Sequence, residues 1–450
     1  MALSCAVVVL LILLAVRGPS PTSPVVDSCE DDEGTVPLPM SSRGFARQCC
    51  GVYPKEFGKY KPDLLLRPVS LFESLDRAVR PWAYPRGFFE AGVHEDQHYF
   101  FKKPLGSRET VYVVTPDLSA FVEVFLKLPP SARITLVTGS EDIGAPWEIF
   151  HPNRTGYFDY NMAKLWPIGQ RVSMRQFIAD PRLVKWFAQN YDLRGCNPFS
   201  CSDVDPKRNK GDALLLAKVE PLPIGLDLHT LSEKVRGADA STIDALICHQ
   251  RKDISEALRG GAARFQDKPL TAYAEFGCNF GPVTSKGTGI RILTRGMLCK
   301  LLGTHRHDPR FVTPLKHSNS SGALLSAPKE TTRETKVAFW RRVAGSAFAF
   351  APPGFGMDTH RVWEILQMHT VPIVISSPLD ALYSGFPVVV VKSWQEAFEA
   401  GALELFKRAV VDKFGPEPFS QAVNHKLSAQ YWLDKVRAAG NNASSIVNSV

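Results

Sequence analysis

Apolar and polar positions alternate in blocks along most of this chain. Short, β-prone apolar runs are separated by longer stretches whose apolar residues recur at helical spacing. Residues 111–115 (VYVVT) and 133–138 (RITLVT) read as strands, with Asp117 just after the first and Glu141 and Asp142 just after the second. Helical stretches are expected over 118–128 and 174–190, and a late strand of this first set over 213–219. A second set opens with a strand at 270–276 and a helix at 290–302, then passes through a polar, irregular excursion at 304–335. Residues 347–351, 371–376 and 388–391 read as buried strands, 426–439 as a final helix, and the last ten residues as a disordered tail. Strands alternating with helices predict parallel sheets and an α/β fold.

The densest chemistry lies between residues 346 and 394. After the 347–351 strand, Pro352, Pro353, Gly354 and Gly356 force a tight loop with little Cβ bulk. Asp358 or Thr359 can cap the helix that follows. At 100° per residue, His360, Arg361 and Glu364 share one side of its first turn, while Val362, Ile365 and Leu366 fall on the adjoining apolar face. Free N–H groups and the positive dipole end favour a phosphate at such a helix start. Strand, glycine loop, helix and strand form the βαβ unit of a nucleotide-binding domain, with ligand expected at the carboxyl ends of the strands. The plainer reading is an ordinary turn, with Arg361 and Glu364 pairing across one helical turn. Upstream, Arg291 and Arg295 lie on the 290–302 helix beside a glycine-rich loop (Gly281, Gly287, Gly289) and offer a second phosphate contact.

This segment resembles the carboxyl-terminal half of the exostosin-like glycosyltransferases. Pro352, Gly354, Thr359, Arg361, Glu364 and Pro372 keep that family's spacing, Phe386, Pro387 and Trp394 match the end of its motif, and 221–231 (PLPIGLDLHTL) looks like the connection into its donor domain. The resemblance covers residues 220–400 well and the amino-terminal half loosely. It implies a GT-B fold, two Rossmann-like domains with a cleft between them, and a nucleotide-sugar donor. It also implies inverting, metal-independent transfer to a glycan or glycoprotein hydroxyl, with no cofactor. By that carry-over Arg361 contacts the diphosphate and Glu364 the ribose. Thr359 stands where the family has Ser, and His369 and Thr370 stand where it usually has small residues, which bears on the shape of the nucleobase pocket.

Composition sets the boundaries of this picture. At 450 residues, with 44% hydrophobic and 22% charged positions, the chain has room for two globular domains. Its net charge of +8 suits an anionic ligand, but Lys and Arg are scattered, so nucleic-acid binding is not read from it. Residues 2–16 are apolar apart from Ser4 and are followed by Arg17 and a Pro/Ser run, an address to the secretory pathway as a cleaved signal peptide or a signal anchor. The expected layout is leader 1–17, stem 18–48, acceptor-side domain 49–225, donor domain 226–420, and terminal helix and tail 421–450. The expected compartment is the Golgi lumen, with the membrane a partner if the leader is kept. Apart from Cys5 in the leader, the cysteines form an even set (29, 49, 50, 196, 201, 248, 278, 299), compatible with disulfides of open connectivity; Cys196 with Cys201 is the best local pair, and Cys29 with Cys49 or Cys50 could staple the amino-terminal segment. Asn153, Asn319 and Asn442 head sequons that permit glycosylation.

Transfer also needs a base to deprotonate the acceptor hydroxyl. Asp142, Glu141 and Asp117 are the candidates, because they follow predicted strands of the first domain. Two other classes compete with the transferase reading. His94-Glu95-Asp96-Gln97-His98 fits the zinc-hydrolase pattern, although its polar surroundings favour a solvated turn. A non-catalytic lumenal glycan-binding protein could keep the same fold. Asp203-Val204-Asp205 and His305-Arg306-His307-Asp308 read as charged surface loops rather than metal sites. Neither a nucleophile elbow nor a phosphate-binding loop ending in Gly-Lys-Ser/Thr is present.

Overall fold

The structure is a computed structural model, which describes residues 109–115, 118, 122, 125–126, 128–139, 144–146, 172, 174–192, 218–226, 252–259, 264–278, 288–314, 333–354 and 356–446. In chain order its labelled elements are β1 (Glu109–Val114), β2 (Ile134–Gly139), β3 (Ala145–Pro146), α1 (Met174–Ala179), β4 (Leu183–Ala188), β5 (Tyr191–Asp192), β6 (Val219–Pro221) and β7 (Ala272–Tyr273). There follow α2 (Thr288–Thr304), β8 (Phe311–Val312), α3 (Arg333–Ala344), β9 (Phe348–Phe350), α4 (His360–Gln367), β10 (Val371–Ile375), α5 (Asp380–Tyr383) and β11 (Val389–Val391). The chain ends in α6 (Ala402–Phe414), α7 (Gln421–Lys426) and α8 (Ala429–Ile446). Residues 252–259 are also helical.

Every strand pairing among the described residues is parallel. The first sheet runs β1-β2-β4-β6 and the second β11-β10-β9-β7-β8, with β3 and β5 forming a small separate pair. The protein is therefore of the mixed α/β, Rossmann-like class. Numbered along the chain, the second sheet reads 2-1-3-4-5, a doubly wound order whose direction reverses between β7 and β9. Alternation along its strands buries both faces. Phe348 and Phe350 of β9 join Val371, Ile373 and Ile375 of β10 in a core with Leu298 and Leu302 of α2 and Leu403 and Val410 of α6. Ala349 and Val374 face the other way, against Phe339 and Trp340 of α3 and Val362, Ile365 and Leu366 of α4.

The apolar face expected on α4 is the one buried. Thr359 occupies the N-cap position with extended backbone (φ −132°), but its hydroxyl does not cap the helix. The helix expected over 174–190 is corrected: α1 stops at Ala179, and β4 begins four residues later. Pro181 cannot extend a helix, and Asp180 turns back to hold Arg182 (2.7 Å), so the Trp186 and Phe187 run is free to enter the sheet. Of the late strand expected over 213–219, residues 213–217 lie outside the described residues; the described strand is Val219–Pro221. The 304–335 excursion contains the edge strand β8. The final helix expected over 426–439 is α8, which starts at Ala429 after the separate short helix α7, and residues 441–446 extend it rather than starting a tail. In α8, Trp432, Leu433 and Val436 are buried, Lys435 pairs with Glu220 of β6 (2.7 Å), and a Cβ on Gly440 would lie 3.5 Å from the Thr135 hydroxyl of β2. The last helix thus covers the first sheet. Among the described residues no helix is long and apolar enough to cross a membrane.

Candidate functional site

The reversal between β7 and β9 opens the place where a doubly wound sheet takes its ligand, at the strands' carboxyl ends. Past β9 the chain makes the Pro352-Pro353-Gly354 loop and enters α4. Arg295 reaches this loop from α2: its Nε donates to the Pro353 carbonyl (3.0 Å) and its Nη2 to that of Pro352 (3.4 Å). Gly354 leaves room for that approach, since a Cβ there would stand 3.4 Å from Arg295 Nη2 and 3.7 Å from Thr359 Cγ2. Gly356 is buried in the same turn.

Arg361 lies over the Phe339 ring, 3.9 Å from its centroid, and its Nη1 stands 3.6 Å from Glu364 Oε2. Burial, followed by the like charge of Arg361, lowers the Arg295 guanidinium to about 10. Two cations near enough to disfavour each other, beside the free N–H groups of a helix start, make a site that a multivalent anion would relieve. Three polar atoms here are buried with no hydrogen-bond partner, the Thr359 hydroxyl, Arg361 Nη1 and Glu364 Oε1. Glu364 is almost wholly buried and also forms an ion pair with Lys336 of α3.

At the start of α4, Asp358 and His360 bond to other segments of the chain. The Asp358 carboxylate accepts from the Ile224 backbone N–H (2.8 Å) and from the Trp363 indole (2.9 Å), while its own N–H donates to Asn190 Oδ1 (2.9 Å). Desolvation raises its pKa to about 6, against the lowering effect of these donors. His360 Nδ1 meets the Gly225 carbonyl at 2.7 Å, an acceptor that requires a protonated Nδ1. These bonds tie the start of α4 to the segments following β4 and β6, at the carboxyl edge of the first sheet. The 221–231 connection is thus described at its first residues, 221–226, where it touches the site.

The structure brings together Gly354, Gly356, Thr359, Arg361, Glu364 and Arg295. Arg291 lies one turn before Arg295 on α2, and its side chain is outside the described residues. Asp117, Glu141, Asp142, His94, His98, Asn153 and Asn319 lie outside them too, as do Asp203, Asp205 and the cysteine pairs expected at 196/201 and 29/49–50. Asn442 falls within α8. In the His305–Asp308 turn, Asp308 pairs with Arg310 (2.7 Å) and His305 packs on Phe398. Among the described residues no three metal-ligating groups converge. Sequence reasoning missed Lys336, Phe339 and Asn190, which reach the site from other elements. The one local signal among them is the residue type of Asn190, which takes the left-handed conformation (φ 49°) in the turn between β4 and β5. No protein-family model matches the chain, and no curated protein does.

Proposed function

We propose that this protein is a glycosyltransferase of GT-B type, two Rossmann-like domains with a cleft between them, that moves a sugar from a nucleotide-sugar to a glycan or glycoprotein hydroxyl in the lumen of the secretory pathway. The observation that carries this reading is the unsatisfied Arg361 Nη1 and Thr359 hydroxyl at the start of α4, beside Arg295 and a glycine loop at a sheet's switch point. A nucleoside diphosphate supplies the oxygens these donors lack. In the inverting reaction implied by the family resemblance, the acceptor oxygen attacks the anomeric carbon as its proton passes to a base. The bond from that carbon to the diphosphate breaks, and the departing charge is held by Arg361, Arg295 and the helix start. Glu364, fixed by Lys336 and Arg361, is placed for the ribose by the same resemblance. The base belongs to the first half of the chain, with Asp117, Glu141 and Asp142 the candidates because they follow β1 and β2 in sequence. The Cys278–Cys299 disulfide accords with an oxidising lumen.

The test is a thermal-shift panel of nucleoside diphosphates and sugar nucleotides on the wild type, Arg361→Ala and Glu364→Ala. A ligand that binds only the native state raises Tm by mass action. Stabilisation by one nucleotide, lost in both folded variants, is the expected result. No shift with any nucleotide, in a chain shown to be folded, would refute the reading and direct attention to metal analysis at His94 and His98.

A further inference from the structure

The loop after β7 and the loop after β9 flank the switch point from opposite sides, and a single side chain joins them. Arg295 donates to the Pro352 and Pro353 carbonyls on the β9 side, while its guanidinium carbon lies 6.0 Å from the centre of the Phe276 ring on the β7 side. Two residues beyond Phe276 is Cys278, disulfide-bonded to Cys299 across a sequence separation of 21. Cys299 stands one helical turn after Arg295, so the two residues share a face of α2. The neighbouring Leu298 and Leu302 are fully buried against the second sheet. Packing therefore fixes the depth of α2, whereas the disulfide ties the helix to the loop after β7 that borders the crevice. Held at Cys299, α2 keeps Arg295 within reach of both carbonyls.

We propose that the Cys278–Cys299 disulfide is a positioning device for the donor site, one that holds Arg295 across the switch point and so keeps the 352–359 loop in its anion-ready form. The statement deepens the glycosyltransferase reading and rests on it for the identity of the anion. The positional role itself is measurable without any ligand. Its test is amide hydrogen exchange on the ligand-free, full-length wild type and the Cys278→Ala/Cys299→Ala variant, following peptides that cover 352–361 and, as internal control, β9 and β10. Expected is exchange about tenfold faster or more across 352–361 with the two strands unchanged, since local opening is read separately from global unfolding. Equal exchange across 352–361 in a folded variant would overturn the proposal, and so would loss confined to the strands. If the double variant does not fold, Arg295→Lys decides. It keeps the disulfide and the charge but withdraws the planar fork, and unchanged exchange across 352–361 then overturns the proposal. Titration of both proteins with inorganic pyrophosphate separates the two ideas. Faster exchange without pyrophosphate binding by the wild type would uphold the positional role and refute the donor site.

Discussion

The carboxylate of Asp358 accepts the backbone N–H of Ile224 at 2.8 Å, across 134 positions of the chain. The bond stitches the turn before α4 to the segment after β6 of the other sheet, and Trp363 and Tyr383 complete the enclosure (2.9 and 3.4 Å). An ionised Asp358 therefore sits in a dry place, and burial lifts it to about 6. A carboxyl raised above its unfolded value of 3.8 binds a proton in the folded chain that the unfolded chain has lost. Its contribution is complete below pH 3.8 and falls away as pH rises through about 6. Asp358→Asn mimics the neutral carboxyl in size but cannot meet its donors at both atoms, at a cost of about 1–3 kcal/mol. The deficit of the variant should be largest near pH 4 and shrink toward pH 7. Urea unfolding of both proteins at several pH values checks this. A deficit independent of pH would mean that Asp358 does not change its charge in that window.

Gly354 separates stability from ligand affinity. A Cβ there lies at ordinary contact distance from both Thr359 Cγ2 (3.7 Å) and Arg295 Nη2 (3.4 Å). Gly354→Ala should therefore fold with stability within about 1 kcal/mol of wild type. Under the proposed function it should lose nucleoside diphosphate affinity by about tenfold or more, because the methyl group occupies the approach that a phosphate needs. Isothermal titration beside thermal melts reads both quantities. Undiminished affinity would place the diphosphate elsewhere.

How much of this was legible in the sequence follows from the range of each interaction. The strands at 347–351, 371–376 and 388–391 could be read because a strand buried on both faces is a continuous apolar run, which needs no partner to be recognised. Residues 174–190 misled because Met174, Phe177 and Ile178 begin a helical spacing that Leu183 and Trp186 seem to continue, and Pro181 outweighs that spacing. Arg361, Glu364 and Arg295 could be found because local chemistry marks a helix start or a glycine-rich neighbourhood. The bonds of Asp358 and His360 could not, since Ile224 and Gly225 are more than a hundred residues distant and backbone partners leave no side-chain signature. Lys336 was hidden for the same reason: its partner Glu364 belongs to a different helix.

The packing of α8 on the first sheet predicts an unequal response along one helix. Leu433 is buried, and Leu433→Ala should cost about 2–5 kcal/mol through lost burial and the cavity left behind. Lys435, two residues on, pairs with Glu220 from a substantially exposed position, so Lys435→Ala should cost about 1 kcal/mol or less. Chemical unfolding of the two variants decides the point. Comparable losses would show that α8 is held by charge rather than by its apolar face.

Lys268 makes the sharpest pH prediction. Its ammonium is buried beneath the end of α4, where it donates to the carbonyls of His369 (2.7 Å) and Met368 (3.2 Å) and to the Thr370 hydroxyl (3.0 Å). These partners hold the left-handed His369 (φ 51°) that turns the chain from α4 into β10. Desolvation lowers Lys268 to about 7 against the opposing pull of Glu417, and His369, itself lowered to about 4 by burial and by Lys268, is neutral over the range concerned. A lysine depressed from 10.5 to about 7 is charged in the unfolded chain and neutral in the folded one between those values. The unfolded state then binds more protons, and stability rises with pH across that window by up to about 1.4 kcal/mol per unit. Lys268→Met removes the titration and leaves the two carbonyls without their donor, so its deficit should be smallest near pH 7 and widen by pH 9. Because every other titrating group is common to both proteins, the difference between their urea-unfolding free energies at pH 7, 8 and 9 isolates this one residue. Parallel pH dependences would show that Lys268 keeps its proton in the folded chain, making it a permanently charged tether at the end of α4.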